Sequence, residues 1–160
     1  MIRRMTFLLI FINCIPFTFA DELTGRFGVG VTNQTANELS AISFKIKTKK
    51  AMAFGGLLAI STATSGGGYA AGFKLYRTLV KEPQLKFYGS VLGAIISKNS
   101  GTNSGTGFQL DGTLGTEFFF RGLESLGFSI EFGVSINKLD TLAFETVGLN
   151  IINAALHFYL

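Results

Sequence analysis

The residues of this sequence that could do chemistry are few and widely spaced. Three acids, Asp111, Glu117 and Glu131, lie in the second half of the chain, and the single histidine is His157. Two carboxylates at a suitable separation can hydrolyse a glycosidic bond, and a histidine beside a serine can activate that serine as a nucleophile. Either chemistry depends on the elements that bring these residues together.

Those elements are β-strands, because apolar and polar residues alternate along most of the chain. In FQLDGTLGTEFFF, residues 108–120, one row contains Phe108, Leu110, Leu114, Phe118 and Phe120. The opposite row holds Asp111 and Glu117. The stretch FSIEFGVSIN, residues 128–137, shows the same alternation with Glu131 in its polar row.

The alternation predicts about eight strands, several of them longer than the roughly five or six residues of an average soluble strand. They are Gly25–Thr32, Ala41–Thr48, Met52–Thr62, Gly68–Leu79, Leu85–Ile96, Gly107–Phe120, Phe128–Leu139 and Thr146–Leu160. A tilted membrane-spanning strand needs about 9–11 residues, and most of these strands reach that length.

Residues 1–20 are predicted to be a cleavable signal peptide. Arg3 and Arg4 precede an apolar run, and Thr18-Phe19-Ala20 is a small-x-small cleavage site. The apolar run is shorter than the roughly 20 residues of a spanning helix and contains Pro16. Asn13 before Cys14 is not the small residue that usually precedes a lipidated cysteine, so a lipoprotein is the minor alternative.

The remaining residues, 21–160, form a single predicted domain without cysteine, which excludes disulfides and thiol chemistry. Removal of Arg3 and Arg4 leaves 12 of the 14 basic residues against 10 acidic ones. Such a balance argues against a nucleic-acid binder, which needs a concentrated basic face. No apolar run after residue 20 is long enough for a spanning helix, so any membrane insertion would use strands.

The composition of the two rows indicates which one faces inward. The polar rows consist mainly of Ser, Thr, Gly, Gln and Asn with isolated charges, which suits the narrow interior of an eight-stranded barrel. The apolar rows would then face lipid. Since unpaired charges inside a barrel are costly, we expect a lumen charge network in which lysines meet acids. Its predicted members are Lys45, Lys74, Lys86, Asp111, Glu117 and Glu131.

The connections between strands fall into two alternating sets. TNQTANELS, SGG, KNSGTNSGT and NKLDTLAFE are small and polar, and we expect flexible exposed extracellular loops there. KTKKA, VKEPQ and RGLESLG are short and charged and are expected to be periplasmic. The cluster of Lys47, Lys49 and Lys50 is then a solvated turn. Residues 118–120 and Tyr159 are expected near the periplasmic interface, where aromatic girdles lie.

The last residues, AALHFYL, alternate up to Leu160. With Leu156, Phe158 and Leu160 in one row, this end resembles the assembly signal of bacterial outer-membrane barrels, although Leu160 stands where Phe or Trp is usual. Together with the leader and the strand rhythm, the chain resembles the small eight-stranded outer-membrane barrel family, which includes OmpX and the transmembrane domain of OmpA. The resemblance implies a plugged antiparallel up-and-down barrel that the barrel assembly machinery inserts, with roles in membrane integrity, adhesion or host contact.

Glycoside hydrolysis and activation of a serine by histidine are both disfavoured in such a barrel. No serine neighbours His157 in its strand, so a structural histidine facing the lumen is expected. A sugar cannot enter a lumen only wide enough for side chains, and the acids are expected to form salt bridges. We therefore predict no catalytic residue, cofactor or metal site.

The expected protein is a non-enzymatic, monomeric barrel in contact with outer-membrane lipid and lipopolysaccharide. A narrow ion-conducting channel and a soluble periplasmic lipocalin-like carrier remain the alternatives.

Overall fold

The computed structural model describes residues 25–48, 51–100, 103–147 and 152–160. The predicted signal peptide with Cys14, and also Lys49 and Lys50, lie outside the described residues. The described part contains nine strands: β1 Phe27–Thr32, β2 Ala41–Lys47, β3 Met52–Ser61, β4 Ser65–Lys81, β5 Leu85–Ser100, β6 Asn103–Phe120, β7 Leu123–Lys138, β8 Leu142–Thr146 and β9 Ile152–Tyr159.

The strands form one closed antiparallel sheet. From β6 back to β1 each strand pairs with its sequence neighbour, β1 pairs with β9, β9 with β7, and β7 with β6. In the described chain, no helix combines the length and the apolar character needed to cross a membrane. The predicted all-β, antiparallel up-and-down barrel is confirmed.

The eighth position of the barrel is occupied by two strands, β8 and β9, on the same edge of β7. Thr146 of β8 lies opposite Val134, whereas Ile152 of β9 lies opposite Phe132. The prediction of one continuous strand over 146–160 is therefore wrong. The two strands meet nearly adjacent positions of β7, although six residues separate Thr146 from Ile152 in the sequence, so they form two separate ladders on this edge.

Alternation along each strand separates a buried row from an exposed row. On β6, Gln109, Asp111 and Glu117 are buried, while Leu110 and Leu114 are exposed. On β6 the charged and polar residues therefore face the lumen and the apolar residues face outward, as the composition of the two rows predicts.

The barrel is much taller on one side. β1, β2 and β9 have 6, 7 and 8 residues, whereas β4 to β7 have 16 to 18. The expected flexible loop at 98–106 is largely strand, since the β5–β6 ladder continues to Ser100 and Asn103. The small polar residues of this stretch pair through their backbones in the ladder. Their composition is typical of a loop and does not indicate this pairing.

Candidate functional site in the barrel lumen

The lumen beside β1 is open enough for side chains from β2 and β9 to meet. Two of the three inward positions of β1 are Gly28 and Gly30, which pair with Tyr159 and His157 of β9. A Cβ atom at Gly28 would lie 2.7 Å from Cε1 of Tyr159, and one at Gly30 would lie 1.8 Å from the carbonyl oxygen of Leu156. Glycine is needed here because the neighbouring strand and its tyrosine ring occupy that space.

Glu117 is the centre of a charge cluster near the end of the barrel that carries the short turns. Its Oε1 lies 3.3 Å from Nζ of Lys45, and its Oε2 lies 2.9 Å from Nζ of Lys47. The Tyr159 hydroxyl donates a hydrogen bond to Oε1. One carboxylate thus faces two buried ammonium groups.

Aromatic rings surround these two lysines. Nζ of Lys45 lies 4.3 Å from the ring centroid of Tyr76, and Nζ of Lys47 lies 3.8 Å from that of Tyr159. Cation–π attraction at this distance, strengthened by desolvation, compensates for the second ammonium charge.

Glu131 forms a second cluster further along the lumen. Its Oε2 accepts hydrogen bonds from Lys74 at 2.5 Å and from Asn153 and Thr113 at 3.2 Å. Its Oε1 accepts a hydrogen bond from the Tyr88 hydroxyl at 2.7 Å. Side chains from four other strands thus bond to this carboxylate of β7, one of them in an ion pair, and Glu131 is only 2 % exposed.

The other two members of the predicted charge network have different surroundings. Asp111 accepts hydrogen bonds from the amide groups of Gln34, at 2.8 Å, and Gln109, at 2.9 Å. Lys86 is half-buried and lies opposite Glu117 in the β5–β6 ladder, with its Nζ 5.4 Å from the Phe119 ring centroid. The structure thus brings Lys45 to Glu117 and Lys74 to Glu131, and it places Asp111 among amides.

The connection between β1 and β2, residues 33–40, folds into the lumen. Gln34 and Asn37 are 2 % and 1 % exposed. The Gln34 side chain donates to Asp111 and accepts a hydrogen bond from Lys74 at 2.5 Å, which links the loop to the charged residues below it. The prediction of a flexible exposed loop is wrong here.

Further hydrogen bonds fix this inserted segment, which we call the plug loop (residues 33–40). The Asn37 amide donates to the carbonyl oxygens of Tyr69, at 2.9 Å, and Ser97, at 2.8 Å. Gln109 donates from Nε2 to the carbonyl oxygen of Gln34, and its Oε1 accepts from the backbone N–H of Ala36 at 2.8 Å. The polar residues that suggested a solvated loop instead bond to lumen groups.

An apolar cluster fills the lumen beside the plug loop. Its buried members are Ala41, Leu57, Ala59, Ala70, Leu92, Ala94 and Ile96, with Ala36 and Leu39 of the plug loop packed against them. Sequence reasoning missed this cluster because β3 and β5 are apolar on both faces at this level. Polarity alone therefore could not assign the inward residues.

His157 is buried in the lumen and lies beside a serine. Its Nε2 is 2.8 Å from Oγ of Ser43, which reaches it from β2 across Gly30. The serine beside His157 thus comes from another strand, and the sequence of the strand that contains His157 could not indicate it. His157 Nδ1 has no hydrogen-bond partner in the described part, and the adjoining cavity measures about 10 Å³. A cavity this small has room for about one water molecule, so the pair lacks both an orienting acid and substrate space.

Three residues expected at an interface or in a turn lie inside the barrel. Lys47, Phe119 and Tyr159 are 8 %, 7 % and 1 % exposed. Each stands two positions from a residue whose inward direction the alternation does indicate: Lys45, Glu117 and His157. Strict application of the two-residue period to the strand ends would have found them.

The described residues hold no group of three or more His, Cys, Asp or Glu side chains placed to bind a metal ion.

No family model matches this sequence, and no curated protein matches it. Among solved structures, the chain is similar to the N-terminal β-barrel domain of Pseudomonas aeruginosa OprF, with a TM-score of 0.56 and 10 % sequence identity. The similarity covers 86 % of this chain and 98 % of that chain. The fold is that of the small eight-stranded outer-membrane β-barrels. At this identity the similarity concerns the fold alone.

Proposed function

We propose that this chain is a non-enzymatic integral outer-membrane β-barrel protein with a structural or surface-interaction role. The observation that carries the proposal is the apolar belt on the outward face. Ile42, Phe73, Leu110 and Phe132 are 62 %, 53 %, 50 % and 51 % exposed, and similar residues surround the barrel. Soluble monomers rarely expose apolar patches beyond a few hundred Å², whereas lipid covers such a belt.

We infer that the lumen is plugged, which favours a structural role over transport or catalysis. The Glu117 and Glu131 clusters fill one end, and the plug loop with the apolar cluster fills the other. The cavity among Ser43, Lys74 and His157 measures only about 10 Å³. In this proposal the lumen charges stabilise the barrel and are not a reaction centre.

The outer membrane is the proposed location, with β1 beginning and β9 ending at the periplasmic side. Phe158 and Leu160 are 53 % and 70 % exposed on the outward face, where the barrel assembly machinery could contact them together with the half-buried Leu156. Outer-membrane phospholipid and lipopolysaccharide are the proposed surroundings. A monomer suffices, because the sheet closes on itself.

A narrow ion-conducting channel is the second candidate, favoured by the lysines and acids inside the barrel. Conduction would require the plug loop to leave the lumen, since Gln34 bonds to both Lys74 and Asp111. A periplasmic lipocalin-like carrier is disfavoured, because its apolar residues would have to line the interior.

Fractionation tests the proposal. The protein should require detergent for extraction from outer membranes, and its unheated form should migrate differently from its boiled form on a denaturing gel. Recovery of a folded, soluble protein without detergent would contradict membrane insertion. Planar-bilayer recordings separate the two candidates, because a structural barrel with a stable plug loop gives no unitary conductance.

A further inference from the structure

A groove on the outward face extends from Met52, the first residue of β3, across β4 to β7. It has a volume of about 690 Å³, within the range of about 300–1,000 Å³ of ligand pockets. Leu75, Val91, Leu114 and Val134 are among its walls. The recess is shallow and open toward the outside. Lipid surrounds the whole outward face in the proposed function, and a recess gives one lipid chain more contact than a convex surface does.

The groove exists because two outward positions, Gly89 and Gly112, carry no side chain. A Cβ atom at Gly112 would meet nothing within 4 Å, and one at Gly89 would approach Leu114 Cδ2 no closer than 3.7 Å. Neither glycine has a positive φ. Packing and backbone conformation therefore do not require glycine at either position, in contrast to Gly30.

Arg77 and Leu79 line the part of the groove that is nearest the turns. Arg77 lies on the outward row of β4 between Leu75 and Leu79 and pairs with Met52, the first residue of β3, and with Gly89. The N–H of the following residue, Thr78, donates to the carbonyl oxygen of Ala51 in the β2–β3 turn. Arg77 thus lies at the level of a turn that is periplasmic in the proposed orientation.

The groove rises from that level into the membrane. Arg77 is close to the turn-side end of β4 at Lys81, whereas Val134 lies well inside β7, which begins at Leu123. A phospholipid of the periplasmic leaflet has the same arrangement, with an anionic phosphate at the interface and acyl chains directed toward the bilayer centre. An arginine forms bidentate, charge-assisted hydrogen bonds with phosphate.

We propose that this groove binds one phospholipid of the periplasmic leaflet. The phosphate binds the Arg77 guanidinium, and one acyl chain lies over Gly89 and Gly112. The inference rests on the proposed membrane insertion, and it adds a defined lipid site to a barrel otherwise surrounded by exchanging lipid.

Native mass spectrometry of the mature chain in octyl glucoside, which carries no phosphate, tests the site with added phosphatidylglycerol. We expect one bound phosphatidylglycerol per barrel. Gly112→Leu and Arg77→Gln should each weaken binding by about tenfold, the effect of losing one charge-assisted interaction or an equivalent apolar contact. Gly112→Ala should weaken it in the same direction, and Arg77→Lys should retain part of it.

Gly93→Leu is the matched control. Gly93 of β5, like Gly112 of β6, has room for a side chain, since its Cβ would lie 3.6 Å from Leu110 Cδ2, and it is not among the groove residues. This variant should bind phosphatidylglycerol like the unmodified chain. Gel migration before and after heating establishes that each variant is folded.

Three results would overturn the inference. They are equal binding by all folded variants, tighter binding of lipid A than of phosphatidylglycerol, and a dimer that Gly112→Leu disrupts. These differ from a failure of the proposed function. A folded chain that remains soluble without detergent contradicts membrane insertion, whereas a heat-modifiable barrel that retains no lipid contradicts only this site.

Discussion

The two ends of the lumen contain different kinds of residues. At the turn side, strand residues form an ionic cluster around Glu117, with Lys45 and Lys47 against one carboxylate. At the other side, the plug loop covers the apolar cluster that contains Leu92. The ionic cluster consists of residues of the barrel wall itself. The plug loop is a separate segment that hydrogen bonds join to this wall. It is therefore the part that could leave the lumen without unfolding the sheet.

The largest effect is expected at the ionic cluster. Glu117→Ala would leave the ammonium groups of Lys45 and Lys47 buried without their acid. Breaking a buried pair in this way costs about 3–5 kcal/mol of unfolding free energy. Urea unfolding of the barrel in vesicles, followed by heat-modifiable migration, measures the loss. Glu82→Ala, at an exposed turn, is the control and should change stability little; equal losses would refute the central role of Glu117.

A smaller loss is expected in the apolar cluster. Leu92 is fully buried, and Leu92→Ala should reduce stability by about 2–5 kcal/mol through lost contacts and a cavity. Val91→Ala is the control, because Val91 is 58 % exposed on the outward face. The same urea titration compares them. If Val91→Ala were the more damaging change, the assignment of inward and outward rows on β5 would be wrong.

The plug loop should be weaker than either strand cluster. Gln34→Ala removes hydrogen bonds to Asp111 and Lys74, and the unpaired groups cost about 1–3 kcal/mol. Because the loop can then leave the lumen, brief conductance events should appear in planar bilayers. Glu38→Ala, an exposed position of the same loop, should give no such events. A silent Gln34→Ala barrel with unchanged stability would show that Gln34 does not hold the plug.

The smallest effect is expected at the pair of Glu38 and Lys98. Their side chains are 65 % and 35 % exposed, and Oε2 of Glu38 lies 3.2 Å from Nζ of Lys98. Surface pairs of this kind contribute about 0–1 kcal/mol and are screened by salt. A double-mutant cycle with Glu38→Ala and Lys98→Ala should therefore give a coupling free energy below that of the plug hydrogen bonds. A larger, salt-independent coupling would mean that this pair also anchors the loop.

The contrast between the ionic cluster and the plug loop also explains how far the sequence could predict the structure. Alternation on β6 and β7 placed Glu117 and Glu131 inside, because a two-residue period assigns every side chain to one face. It could not give the register that brings Ser43 to His157 across Gly30. The plug loop was missed because Gln34 and Asn37 have the composition of a solvated turn. Only the positions of Asp111 and Ser97 in the folded barrel give those amides buried partners.

The division of the eighth strand was missed for a similar reason. Residues 142–146 and 152–159 both alternate, but their shared edge on β7 is a property of pairing, and sequence periodicity does not report it.

Labelling adjacent residues on β6 shows which row of the strand faces lipid, and it is practical because residues 21–160 contain no native cysteine. Leu114 is 41 % exposed on the outward face, whereas Thr113 is 5 % exposed and faces the lumen. Each is replaced by cysteine, labelled with a small environment-sensitive fluorophore and reconstituted in phospholipid vesicles. If the apolar row faces lipid, brominated acyl chains should strongly quench a fluorophore at position 114 and hardly quench one at position 113. Equal quenching at both positions, or stronger quenching at 113, would contradict a barrel with its apolar row in lipid.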